Sequence, residues 1–134
     1  MSNAPGCKTI LCIDDDDAIL GYHRALLERR GYEVLTAASA REGLQIAAAS
    51  AVAAVILDYQ MPEMNGHEVA IEIKRLWPQV PIVMVSGDDV IPEHALNVVD
   101  AFVSKYESSS LLLPVIARFC DENPLGFQKT RIPA

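Results

Sequence analysis

Acids, a hydroxyl and an amine recur in this chain at one kind of place, the end of a short apolar run. Ile10-Leu11-Cys12-Ile13 stops at Asp14-Asp15, Val52 to Leu57 stops at Asp58, Ile82 to Val85 stops at Ser86, and Ala101 to Ser104 stops just before Lys105. If those runs are parallel strands, the groups meet at one edge of a sheet. Three gathered carboxylates repel one another, which is costly unless a cation sits among them. Mg²⁺ suits all-oxygen ligands and keeps waters, which leaves room for phosphate oxygens. One carboxylate beside such an ion can attack phosphorus and form an aspartyl phosphate, while a nearby hydroxyl and ammonium bind the product's oxygens.

Taken singly, each residue has a plainer reading. An Asp after a strand is commonly a turn former or a helix N-cap, and Asp16 or Asp17 is expected to cap the first helix. Ser86 alone fits a turn, because Ser satisfies local backbone groups. Lys105 alone fits a solvated surface charge. The coincidence of four such strand ends sets these residues apart. His23, His67 and His94 are scattered over helical segments without metal-ligand spacing, and no role is assigned to them.

The elements that must position these groups alternate along the chain. Runs that are apolar on both faces read as buried parallel strands, and Glu33 to Ala37 is a further strand candidate. Ile19, Tyr22, Leu26 and Leu27 follow helical spacing up to a stop at Gly31. Ser39 and Glu42 have capping-box spacing ahead of Leu44, Ile46 and Ala47. Val69, Ile73 and Leu76 mark a third helix, closed by Trp77-Pro78. A short helix is expected over Glu93 to Val98 and a last one over Leu111 to Phe119, with Pro114 making its first turn irregular. Five strands alternating with five helices predict a doubly wound α/β fold with right-handed crossovers. The site of such a fold lies outside the carboxyl ends of its strands.

Composition narrows the partners. The chain has 134 residues, 51% of them hydrophobic, enough for one domain with a buried core. Its 18 Asp and Glu outweigh 11 Lys and Arg, for a net charge of -7, which argues against a nucleic-acid surface and suits cations or a basic partner. Cys7, Cys12 and Cys120 are odd in number and lack metal-ligand spacing, so a reduced, cytoplasmic setting is expected. There is no apolar stretch of about 18 residues to span a membrane, and Met1 to Gly6 lacks a signal pattern. Residues 1–7 are expected to be a disordered start or tag remnant, 8–122 the folded domain, and 123–134 a C-terminal tail.

The chain resembles the response-regulator receiver domains. The matching pieces, in family order, are Ile10 to Asp16, Val55-Ile56-Leu57-Asp58-Tyr59-Gln60-Met61-Pro62, Gly66, Val83-Met84-Val85-Ser86 and Phe102-Val103-Ser104-Lys105. The resemblance implies a flavodoxin-like sheet of order 2-1-3-4-5. It implies Asp58 as phospho-acceptor and Mg²⁺ held by Asp58, Asp14, Asp15 and the backbone carbonyl of Gln60. Asp15 would be a direct ligand, and Asp14 one that can act through water. Lys105 would pair with Asp58 and then with phosphate, Ser86 would hydrogen-bond a phosphoryl oxygen, and Phe102 would turn inward as Ser86 moves. A sensor histidine kinase or phosphotransfer protein would supply the phosphoryl group. An output domain or target protein would read the change, with homodimerisation through the fourth-helix, fifth-strand and fifth-helix face open to it.

Two departures bear on the output surface. Tyr106 stands where most receivers have Pro after the Lys, with a cis bond; cis before a non-proline residue costs about 2.5–4 kcal/mol. A trans or strained peptide is therefore expected, with some displacement of Lys105. The segment from Ser86 to Lys105 is short, so the fourth helix should be short or irregular. A degenerate receiver acting as a phosphorylation-independent adaptor is one alternative. A haloacid dehalogenase-like phosphohydrolase is another, suggested by Asp14-Xaa-Asp16 and Gly87-Asp88-Asp89, though Lys105 follows rather than precedes that late motif and Asp58 with Met61-Pro62 goes unexplained.

Overall fold

Residues 8–87 and 91–120 are described in a computed structural model of the chain; the expected start segment 1–7 and tail 123–134 lie outside the described residues, as do Asp88 and Asp89. Five aliphatic runs form strands: β1 (Thr9–Ile13), β2 (Glu33–Ala37), β3 (Ala54–Asp58), β4 (Ile82–Ser86) and β5 (Ala101–Ser104). All pair in parallel in the order β2-β1-β3-β4-β5. The register sets Ile13 beside Leu57, Asp58 beside Val85 and Ser86 beside Ser104, so the strands finish together at one edge.

Between the strands lie α1 (Asp17–Glu28), α2 (Ala40–Ala49), α3 (Gly66–Leu76) and α4 (Glu93–Leu96); α5 (Ser108–Cys120) follows β5. Alternate strand residues feed two cores, because side chains along a strand point to opposite faces. Ile10, Cys12, Ile56, Val83 and Val103 pack with Leu20 and Leu27 of α1 and Leu112 and Ile116 of α5. Leu11, Ile13, Val55, Leu57 and Met84 pack with Ala47 of α2 and Val69 and Ile73 of α3 on the other face. Each fully buried aliphatic side chain contributes about 1.5–3 kcal/mol, which makes this double layer the main source of stability.

α4 is a single turn, in keeping with the short segment that encodes it. A buried ionic lock holds the sheet beside it. Asp100 Oδ2 accepts the Ile82 N–H at 2.8 Å and the Lys74 ammonium at 2.8 Å, and that ammonium also donates to the Val80 carbonyl at 2.7 Å. The lock ties α3 to the starts of β4 and β5, at the end of the sheet opposite Asp58.

Several details differ from the sequence reading. α1 buries Leu20, His23 and Leu27, whereas Tyr22 is 41% exposed; the inward face runs through a histidine that apolar periodicity passes over. Leu76 is 46% exposed, and Ala70 packs inward with Val69 and Ile73. Ser39 Oγ does cap α2 by accepting the Glu42 N–H, but the Glu42 carboxylate reaches back to the N–H of Ala38. A full capping box closes instead between Asn65 and Glu68 at the start of α3. α5 starts at Ser108 and runs through Pro114, which lies on its exposed side where water can serve the freed carbonyl; the irregularity is a separate 3-10 turn, Lys105–Glu107. Among the described residues no helix is long and apolar enough to cross a membrane.

Candidate functional site

The parallel register carries four strand ends to one rim: Asp14 and Asp15 follow β1, Asp58 ends β3, Ser86 ends β4 and Lys105 follows β5. One carboxylate oxygen from each of Asp14, Asp15 and Asp58 lies within 4.8 Å of the other two. Asp14 and Asp58 are each 3% exposed, while Asp15 faces solvent, so the cluster has a buried floor and an open side. The Lys105 ammonium sits 3.2 Å from Asp14 Oδ2 and 3.2 Å from Asp58 Oδ1. The peptide bond after Lys105 is trans, and the side chain reaches both acids from it.

Local bonds decide which acids join the cluster. Asp14 Oδ1 accepts the Asp16 N–H at 2.9 Å. Asp16 turns its own carboxylate to the N–H groups of Ala18 and Ile19, capping α1, and is thereby committed to the helix rather than the cluster.

Electrostatics shows which charge the cluster favours. Burial, reinforced by the charge of Asp14, pushes the Asp58 carboxyl up to about 7, against the pull of Lys105. Burial also raises Asp14, partly offset by the Asp16 N–H and Lys105. Burial opposes the charge on Lys105, but Asp58 and Asp14 outweigh it and hold the ammonium above its ordinary range. Three carboxylates against one ammonium leave two negative charges, the charge of one divalent cation. The donor set is all oxygen, and one acid is open to water. These features fit Mg²⁺, which prefers oxygen ligands and retains several waters.

The loop after β3 is shaped by a close approach. Gly66 N–H donates to the Tyr59 carbonyl at 2.6 Å, and a Cβ on Gly66 would lie 2.5 Å from the Asp58 carbonyl oxygen. Only glycine fits there, and the closed loop holds Gln60 just past Asp58. Ser86 is buried at the end of β4, beside Ser104. Phe102 is half-buried, packed against the core cluster of the α2 and α3 face.

Two histidine placements were not legible in the sequence. His67 and His94, far apart along the chain, bring their rings to 4.7 Å edge to face. His23 is buried on the inner face of α1, where burial and then Lys105 hold its imidazole down to about 4. A hydrophobic pattern that counts histidine as polar cannot find it.

Known proteins share this fold. A family model for the response regulator receiver domain matches residues 10–116. The chain is 35% identical over 109 residues to the response regulator protein TodT of Pseudomonas putida, covering 78% of this chain and 48% of that protein. A CheY-like response regulator receiver domain protein from Methanospirillum hungatei superposes with a TM-score of 0.84 at 33% identity, covering 90% of this chain and 99% of that one. The response regulator protein TrrA from Thermotoga maritima, solved in complex with Mg(2+)-BeF, gives a TM-score of 0.75 at 29% identity, covering 81% and 96%. The chain spans between 20% and 48% of the length of the first curated relatives it matches. With the fold, strand order and acidic rim in place, the chain belongs to the family of response regulator receiver domains.

Proposed function

We propose that this chain accepts a phosphoryl group on Asp58 from a sensor histidine kinase or phosphotransfer protein and passes the event on through a change in its surface. The observation that carries this reading is the Asp58 carboxylate, buried at a strand end, with Lys105 at 3.2 Å and the oxygens of Asp14 and Asp15 within 4.8 Å. The Mg(2+)-BeF complex of the Thermotoga relative supports the same chemistry.

In the proposed step an Asp58 carboxylate oxygen bonds to phosphorus as the bond from phosphorus to the donor breaks, and the electron pair leaves with the donor. Asp14, Asp15, Asp58 and the Gln60 carbonyl would hold Mg²⁺, whose charge offsets that of the carboxylates and the phosphoryl oxygens. Lys105 favours the ionised form of Asp58 before transfer and donates to a phosphoryl oxygen after it. The Ser86 hydroxyl donates to another. The new group adds roughly 1.5–2 negative charges, which draw Ser86 and Lys105 toward it and bias Phe102 inward. The face of α4, β5 and α5 is then the surface offered to an output partner or a second copy. The reading sets the protein in the cytoplasm, where free thiols such as those of Cys12 and Cys120 persist.

Incubation with acetyl phosphate and Mg²⁺ tests the proposal. The wild-type chain should gain phosphoryl label, and both Asp58→Asn and removal of the metal with EDTA should abolish it. Undiminished labelling of the Asn variant refutes the assignment.

A further inference from the structure

Lys105 can serve the acidic rim only if its long stem leaves the backbone in a fixed direction, because a free lysine side chain carries about 2 kcal/mol of rotamer entropy. It is the first residue of the 3-10 turn, just past the end of β5. The peptide unit joining Lys105 to Tyr106 is held at both ends. Its N–H, from Tyr106, donates to Ser104 Oγ at 3.2 Å. Its carbonyl, from Lys105, accepts the Ser108 hydroxyl at 3.1 Å and the Ser108 backbone N–H as well. Ser108 is buried, and a buried hydroxyl must find a partner; this one finds that carbonyl. The Tyr106 side chain is 81% exposed and takes no part. A proline at 106 would have no N–H for Ser104 to accept, so half of this arrangement depends on a non-proline residue there.

We infer that Ser104 and Ser108 are positioning residues, a two-hydroxyl clamp that aims Lys105 at Asp58 and Asp14. The inference rests on the role proposed for Asp58. Neither serine touches the acids; each acts through the peptide plane that launches the Lys105 side chain. Loss of the Ser104 hydroxyl frees the N–H end of that plane, and loss of the Ser108 hydroxyl leaves its carbonyl to the Ser108 N–H alone; a displacement of about 1 Å at reacting groups can cost up to about 100-fold in rate.

The test measures the initial rate of acetyl phosphate labelling at saturating Mg²⁺, and Mg²⁺ affinity by titration. The variants are Ser104→Ala, Ser108→Ala, the double variant and Ser104→Thr, each with Lys105 intact and with Lys105→Ala. With Lys105 intact, each alanine variant should slow labelling about 3–10-fold and the pair about 30-fold, with Ser104→Thr restoring the rate to within about twofold. Among the variants with Lys105 intact Mg²⁺ affinity should stay within about twofold, and the serine changes should have no further effect on labelling once Lys105 is alanine. Tyr106→Phe should label as the wild type does. Equal slowing in both backgrounds, or no slowing with Lys105 intact, overturns the clamp. Labelling that survives Asp58→Asn, or is unimpaired by Lys105→Ala, brings down the functional reading and the clamp with it.

Discussion

One cation favours the charge on Asp58, while burial and two neighbouring acids oppose it. Burial and the Asp14 carboxylate push its carboxyl up to about 7, and Lys105 alone resists. An unfolded aspartate titrates near about 3.9, so between roughly pH 4 and 7 the folded chain keeps a proton that the unfolded chain has released. Raising the pH through that window costs stability, with the full penalty above about pH 7 and none below about pH 4. Asp58→Asn should therefore stabilise the metal-free protein by about 1–3 kcal/mol at pH 8 and by almost nothing at pH 4, measured by urea denaturation. A difference that does not change with pH contradicts the coupling. His23 runs the other way: its depressed imidazole makes stability fall as the pH drops from about 6.5 toward about 4, but the term cancels between the two proteins. The acids were legible because each interrupts an apolar run. The choice of Asp14 and Asp15 over Asp16 was legible as well, since a carboxylate just beyond them was expected to cap α1, and Asp16 does so.

The strands and helices each carry a different liability. Gly66 opens α3 against the end of β3, where a Cβ would lie 2.5 Å from the Asp58 carbonyl and 2.9 Å from the Tyr59 Cα, both backbone atoms that cannot rotate away. Gly66→Ala should cost about 1–3 kcal/mol and weaken Mg²⁺ binding about tenfold by displacing the loop around Gln60. Thermal melts and Mg²⁺ titration check this, and unchanged values of both would contradict it. The lock between Lys74 and Asp100 lies at the other end of the sheet. Lys74→Met should lower stability by about 3 kcal/mol, since it leaves a buried carboxylate without its cation. Labelling of the folded variant should stay within about twofold of wild type, because that lock does not touch the rim. Slow labelling with normal stability would reverse that assignment. Strands were the most legible elements: the edge strands β2 and β5 match residue for residue, and the central β3 and β4, buried along their whole length, stand out as continuous aliphatic runs. The start of α5 was hidden by Ser108-Ser109-Ser110, residues that favour turns until tertiary packing recruits them.

For the molecule as a whole, parallel pairing turns sequence position into chemistry. Every strand points its carboxyl end the same way, so residues far apart in the chain share one rim, and a net charge of -7 makes that rim a place for cations. That convergence could be read in advance because it needs only strand direction and order. The side-chain ties could not, since the Lys74–Asp100 pair at the far end of the sheet and the Ser104 and Ser108 bonds beside the rim depend on side-chain directions that periodicity does not encode. The most direct measurement is peptide mapping by mass spectrometry of the chain labelled with acetyl phosphate and Mg²⁺, after borohydride reduction of the acyl phosphate. One modified residue at Asp58 is the predicted result. Modification at Asp14, Asp15 or a histidine, with Asp58 untouched, would contradict it.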